Sequence, residues 1–170
     1  MRNKKVYLLG IIFILINSQS CWYYSFKGTI PPHIKSIAIQ TFDNQTGEFN
    51  IEQDITEKVR RYFIQENILK VRDEDNSDSI LSGRIVSIRD EPLIYEDTPQ
   101  GEEVTEYRLT ISLSIEWYDR INDKVLLKKQ FSKYADYDPS GLTENTREKA
   151  IESAVMQICE DIMNNILGIW

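Results

Sequence analysis

The clearest pattern in the chain is a strict alternation of apolar and polar residues between positions 107 and 118. A period of two over this length predicts a β-strand with one covered face and one solvated face. The polar dipeptide Asn122-Asp123 then predicts a turn into a returning strand. In the first strand the positions on the covered face are Tyr107, Leu109, Ile111, Leu113, Ile115 and Trp117. In the returning strand the same alternation gives Val125, Leu127, Lys129 and Phe131, of which only Lys129 is polar.

Three other segments predict further strands. They cover residues 34–42, the short stretch 68–71 and residues 80–88. We expect Pro92 to end or bulge the last of these, because proline cannot donate to a strand ladder. Proline and glycine mark residues 96–103 as a polar hairpin tip, and the acidic residues 73–79 predict a solvated loop.

Two segments repeat their apolar residues at steps of three and four, which predicts amphipathic helices. The first begins after Asn50, with Gln53 in capping-box spacing, and ends near Asn67. The second begins between Thr143 and Thr146. The first stripe comprises Ile51, Ile55, Val59, Tyr62 and Phe63; the second comprises Ile151, Val155, Ile158, Ile162 and Ile166, flanked by Ala150, Ala154 and Cys159.

These elements together predict a single α+β domain over residues 34–170. We expect an antiparallel or mixed sheet of about four strands, with two helices packed on one face. The first strand, the first helix and the short strand at 68–71 are expected to form one right-handed crossover.

The N-terminal residues have the pattern of an export signal. A basic opening at residues 2–5 precedes an uncharged, mainly apolar run at residues 6–16. This run is shorter than the roughly 20 residues that a membrane-spanning helix needs, and it suits a secretory signal. We therefore expect a signal peptide over residues 1–20; an uncleaved N-terminal anchor is the alternative.

The signal ends in Ser18-Gln19-Ser20-Cys21, which resembles the bacterial lipobox. The resemblance implies cleavage before Cys21 and attachment of lipid to its thiol, with residues 21–33 as a tether. Two or more acyl chains give stable membrane anchoring. Trp22 follows the cysteine in place of the aspartate that retains such proteins at the inner membrane, so the resemblance implies anchoring to the outer membrane.

Charge narrows the range of partners. Residues 1–20 contain three basic and no acidic residues, so the remaining chain has 17 Lys and Arg against 27 Asp and Glu, a net charge of −10. Nucleic-acid binding rests on neutralising phosphates, and this acidic balance argues against it. It also argues against broad adhesion to anionic lipid.

Side chains with catalytic potential are scarce. The chain has one histidine, His33, and two cysteines, Cys21 and Cys159, too few for a zinc site. It has no G-x-S-x-G motif and no glycine-rich phosphate loop. We therefore expect no enzymatic activity, no metal and no cofactor beyond the covalent lipid on Cys21. A periplasmic hydrolase that uses paired carboxylates is the catalytic alternative.

Short segments spread over nearly the whole chain after residue 20 carry a family resemblance. They are CWYYSF (21–26), IKSIAI (34–39), FDNQT (42–46), LSGRI (81–85), VTEYR (104–108) and WYDR (117–120), with the alanine-containing last helix. In these segments the chain resembles the LptE family. The resemblance implies an outer-membrane lipoprotein that partners the LptD β-barrel, sits partly in its lumen and helps deliver lipopolysaccharide to the cell surface.

The polar positions of the alternating strand form a candidate working surface, joined by Lys128 and Gln130 of the next strand. A polar surface suits a barrel lumen, and an ordinary solvated sheet face is the alternative. Because the chain is acidic, contact with lipopolysaccharide phosphates has to be local, and Arg108 and Lys128 are the candidate contacts. A structural or adaptor lipoprotein of another envelope transport or assembly complex is the alternative function.

Overall fold

A computed structural model describes residues 30–99 and 101–168. The predicted signal peptide over residues 1–20 and the lipid attachment at Cys21 lie outside the described residues. The described elements are β1 (Ser36–Ile39), β2 (Asp43–Asn44), α1 (Ile51–Glu66), β3 (Lys70–Val71), β4 (Ser79–Thr98), β5 (Gly101–Asp119), β6 (Lys124–Tyr137) and α2 (Arg147–Leu167), with a single 3₁₀ turn at Glu74–Asn76. The α+β class is confirmed, although the sheet has six strands within the described residues, where about four were expected.

The strands form one mixed sheet in the order β3-β1-β4-β5-β6, and β2 also pairs with β4. β1 runs parallel to both β3 and β4, as expected when a helix crosses between paired strands. The long strands β4, β5 and β6 are antiparallel neighbours. The parallel pairing of β1 and β3, with α1 between them in the chain, confirms that the three elements form one crossover; its right-handedness stays a prediction.

One face of the sheet and both helical stripes share a single hydrophobic core. Leu109, Ile111, Leu113 and Ile115 are completely buried, as their alternation on β5 predicted. Every apolar residue predicted for the α2 stripe is buried, including Ile158 and Cys159. In the α1 stripe, Tyr62 is the exception, because it is only partly buried. No described helix is both long and apolar enough to cross a membrane.

The two helices begin differently. At α2 the Thr146 side chain accepts a hydrogen bond from the Lys149 N–H, which is a normal N-cap. At α1 the preceding Asn50 adopts a left-handed conformation and makes no side-chain cap, so the capping-box prediction was wrong. The predicted end of α1 is confirmed, since Asn67 is left-handed and its N–H donates to the Phe63 carbonyl.

β4 continues well beyond Pro92. The register shifts between Pro92 and Ile94, so this proline lies at a bulge and does not end the strand. Beyond this point β4 and β5 extend as a two-stranded hairpin, because β6 pairs with β5 only as far as Tyr107. The β5–β6 pairing has a register shift of its own between Trp117 and Tyr118. Beside it Val125 is exposed, contrary to its expected inward position.

The acidic segment before β4 is less solvated than predicted. Residues 73–76 are exposed, but Asp78 is partly buried. Its Oδ2 accepts hydrogen bonds from the N–H groups of Lys35 and Ser36, each at 2.9 Å, and from the Ser36 hydroxyl at 2.8 Å. These bonds, led by the one from Lys35, lower the pKa of Asp78. Asp78 therefore fixes the start of β1.

Candidate functional site

The helices and the core occupy one side of the sheet, and the opposite side carries mainly polar side chains. We call this opposite side of β4, β5 and β6 the outer face. Strand register sets its residues in rows across the three strands. From one end to the other, three of these rows are Arg84, Ser114 and Gln130; Ser87, Ser112 and Ser132; and Arg89, Thr110 and Tyr134.

Arg108 lies on this face, as predicted, but its charge is already paired. Its Nε and Nη2 atoms donate to the two carboxylate oxygens of Asp136, at 2.7 and 2.9 Å. The guanidinium carbon also lies 4.1 Å from the centre of the Tyr134 ring. The hydrogen bond from Arg108 lowers the pKa of Asp136, which stabilises the pair.

Lys128 also lies on the outer face, where its Nζ is 2.6 Å from the Glu116 carboxylate. Its side chain is 72% exposed, so this pair is open to solvent and easily exchanged. Arg108 lies opposite Asp136, whereas Lys128 lies opposite Glu116, eight residues further along β5. At about 3.4 Å per residue, roughly 27 Å separates the two positions. The structure therefore does not bring Arg108 and Lys128 together.

A different cation accompanies Lys128. Arg84 of β4 and Lys128 line one shallow cleft of about 210 Å³, together with Asp43, Ser82, Gly83, Ser114 and Glu116. Arg84 is exposed, and among the described residues it has no carboxylate within 4 Å. The same holds for Arg89, which lies opposite Thr110. Sequence reasoning missed both arginines, although the strand predicted over residues 80–88 includes Arg84, because the β4–β5 register decides which residues they accompany.

The single histidine fastens the end of the predicted tether to the domain. His33 Nε2 lies 2.7 Å from Oδ2 of Asp119, a carboxylate only 1% exposed, and Asn122 Nδ2 lies 3.0 Å from the same oxygen. Burial disfavours the charged form of Asp119. The hydrogen bonds from His33, Asn122 and Ile121 outweigh this effect and hold the pKa of the carboxyl below its ordinary value.

The remaining candidates for chemistry have structural roles or unsuitable electrostatics. Burial raises the pKa of the Cys159 thiol to about 12, which suppresses its reactive thiolate form. Every described carboxyl group with a resolved shift has a lowered pKa, whereas a glycosidase acid needs a raised one. Within residues 30–99 and 101–168, no cluster of three or more His, Cys, Asp or Glu side chains is arranged to hold a metal ion.

Solved structures share this fold at low sequence identity. PelC of Paraburkholderia phytofirmans, solved as a dodecamer, is 16% identical with a TM-score of 0.55, covering 82% of this chain and 92% of PelC. A hypothetical protein of Chlamydia trachomatis is 8% identical with a TM-score of 0.56, covering 79% and 99%. A Xanthomonas campestris protein of a family without assigned function is 13% identical with a TM-score of 0.56, covering 83% and 92%. At these identities the likeness concerns the fold alone.

Comparison with curated protein sequences gives no match. A family model, described as LptE, lipopolysaccharide-assembly, matches residues 34–166. This segment contains every described helix and strand up to the last turn of α2. It also contains most of the short segments that carried the sequence resemblance, which is thereby confirmed. The chain belongs to the LptE family of lipopolysaccharide-assembly proteins.

Proposed function

We propose that this protein is an outer-membrane lipoprotein that partners an LptD-like β-barrel in assembling lipopolysaccharide and delivering it to the outer membrane surface. The observation that carries the proposal is the uncovered outer face, a polar sheet surface opposite a mainly apolar, helix-covered one. Barrel lumens are polar, so this face suits a position inside a barrel. The role is one of binding and assembly, without catalysis by the chain itself.

Within this role, cations on the outer face would contact lipopolysaccharide phosphates. Arg84 and Lys128 line one cleft, and the exposed Lys128–Glu116 pair can exchange its partner for a phosphate at little cost. Arg108 is a weaker candidate, because its two-pronged pair with Asp136 has to open first. The sequence-based proposal for Lys128 is therefore extended to Arg84, and Arg108 remains as a separate contact at the far end of the face.

Charge reversal on the outer face tests this proposal. The double variant Arg84→Glu/Lys128→Glu is expected to keep its fold, because both side chains are exposed, and to lose lipopolysaccharide binding or copurification of the barrel. Arg61→Glu, an exposed change on α1, serves as the matched control. If the double variant copurifies as much barrel and binds as much lipopolysaccharide as the wild type does, the outer face is excluded as the working surface. Copurification of the wild type with a different envelope complex would support the adaptor alternative instead.

The anchor has its own test. We propose that Cys21 becomes the lipidated N-terminus, which would hold the domain at the periplasmic side of the outer membrane beside the barrel. Metabolic labelling with a fatty acid is expected to mark the wild-type protein and not Cys21→Ala. Equal labelling of both proteins would exclude Cys21 as the attachment site.

A further inference from the structure

A second cleft lies at the edge of the sheet, where the parallel strands β1 and β3 end. It has a volume of about 720 Å³ and is lined by residues of β1, by Arg60 of α1 and by residues 71–74. None of the lining residues belongs to the outer-face cleft around Arg84 and Lys128. From β1 the chain crosses to β3 on one side and then to β4 on the other. Ligands of open sheets bind outside the carboxyl ends of parallel strands at such a switch point.

The backbone of β1 is open toward this cleft. The Lys35 and Ile37 carbonyls point toward β3 and accept from the Lys70 and Arg72 N–H groups, each at 3.0 Å. Because direction alternates along a strand, the N–H and carbonyl of Ile39 point to the same side. β3 has ended by this level, since its pairing with β1 stops at Ile37.

The carbonyl and the N–H of Ile39 differ in their hydrogen bonding. The carbonyl accepts a hydrogen bond from Arg60 Nη2 at 3.2 Å. The N–H has no backbone acceptor among the described residues, and Ile39 lines the cleft. An unpaired strand N–H at a sheet edge is the group to which an added strand bonds.

The charges around the cleft restrict what can lie there. Arg72 is exposed, and within the described chain no carboxylate comes within 4 Å of it. Arg60 pairs with the half-exposed Glu57 at 3.2 Å and points its other nitrogen at the Ile39 carbonyl. Asp73 and Glu74 border the cleft where the chain turns away from β3. A ligand therefore meets an unpaired cation beside the open N–H and two carboxylates at the rim.

We infer that this cleft binds an extended segment of another protein, laid along the open edge of β1 with an acidic side chain toward Arg72. A carbonyl of the segment accepts the Ile39 N–H, and its carboxylate pairs with the Arg72 guanidinium. The rim carboxylates disfavour a run of several acids, so one acidic residue among apolar ones fits best. A different protein is favoured over a second copy, because a net charge of −7 makes copies of this chain repel one another.

Binding of a defined peptide to the full-length protein in detergent tests the inference. The probe is a fluorescent, terminally blocked peptide of alternating valine and threonine with one central glutamate, followed by anisotropy. It is expected to bind and to slow exchange of the Ile39 amide proton, read by NMR. Two control peptides, with lysine in place of glutamate or with a central proline, are expected to bind at least about tenfold more weakly.

Variants of the protein separate the cleft from general charge effects. Arg72 is exposed, so the variant Arg72→Glu is expected to fold. It is expected to bind the glutamate peptide at least about tenfold more weakly than the wild type, and Arg72→Lys is expected to lose less affinity. Arg61→Glu is the control, because it makes the same charge change in a groove between the two helices. This variant is expected to bind the glutamate peptide as tightly as the wild type. Undiminished binding by Arg72→Glu, or an unchanged Ile39 amide, would overturn the inference. Self-association of the wild type that Arg72→Glu abolishes would also overturn it, since the occupant would then be a second copy.

Discussion

The guanidinium of Arg147, in the first turn of α2, lies 2.8 Å from the carboxylate of Asp90 on β4. Arg147 also pairs with Glu48 in the loop before α1, so one side chain links three parts of the fold. The hydrogen bonds that Arg147 donates to Asp90 and Glu48 raise the pKa of its guanidinium, which therefore stays charged at every pH of interest. The link joins residues 57 and 99 positions apart in the chain.

We expect Arg147→Ala to lower the free energy of unfolding by about 1–3 kcal/mol, because two carboxylates lose a charged partner. Chemical denaturation measures the change, and Arg61→Ala, an exposed α1 arginine, is expected to cost almost nothing. A result for Arg147→Ala as small as that of the control would mean that solvent replaces the link fully.

The α2 stripe allows a sharper comparison within one helix. Ile158 is completely buried and Met156 is 50% exposed. Ile158→Ala is expected to cost about 2–5 kcal/mol, because it leaves a cavity in the core. Met156→Ala is expected to cost much less. Equal denaturation midpoints for the two variants would contradict the placement of the stripe against the sheet.

Gly83 occupies a position where a side chain does not fit. A Cβ added there would lie 2.6 Å from the ring of Phe42, which is itself 2% exposed. Gly83→Ala is therefore expected to cost about 1–3 kcal/mol through overpacking. Gly47→Ala is the control, because nothing lies within 4 Å of its added Cβ. A neutral Gly83→Ala variant would show that the Phe42 ring moves aside freely.

The pKa of Asp119 is lower in the folded protein than its ordinary value of 3.8. A carboxyl group with a lowered folded pKa contributes stability above its unfolded pKa, and that contribution is lost as the pH falls through the folded pKa. Stability is thus expected to fall below about pH 4, and less steeply in Asp119→Asn. Urea titrations between about pH 2 and 7 measure the difference, with the exposed Asp97→Asn as control. Parallel pH profiles for wild type and Asp119→Asn would contradict the assignment.

Like charges face each other near the tip of the β4–β5 hairpin. Glu96 lies opposite Glu103, and Asp97 lies opposite Glu102. Directly opposed like charges destabilise a strand pair. Glu102→Lys is expected to stabilise the hairpin by about 0.2–1 kcal/mol, seen as slower amide exchange at Tyr95 and Val104. High salt should reduce the gain; a gain independent of salt would point to a cause other than charge.

Both the helices and the central strand could be predicted from sequence, because their signals are local. The alternation on β5 and the steps of three and four in α2 each mark the face of the element that is buried. The apolar residues of both faces lie in one hydrophobic core. The family resemblance was also readable, since it rests on short contiguous segments. The capping box at Asn50 could not be judged in this way, because the backbone there is left-handed.

Only part of the candidate site could be predicted from the sequence. Alternation placed Arg108 and Lys128 on the polar face, but it carried no information on their separation along the sheet or on the carboxylates beside them. Pairing Arg84 with Lys128 in one cleft requires the register of β4, β5 and β6, which depends on a bulge after Ile85 and another beside Trp117.

By itself the sequence determined the α+β class, the buried stripes and the solvated face of this protein, because each follows from periodicity within one segment. The tertiary structure alone decided that β1 lies between β3 and β4, that the Ile39 N–H faces an open edge, and that Arg147 joins Asp90 to Glu48. These contacts unite segments distant in the chain, and they form only when strand order and register are set by packing the whole core.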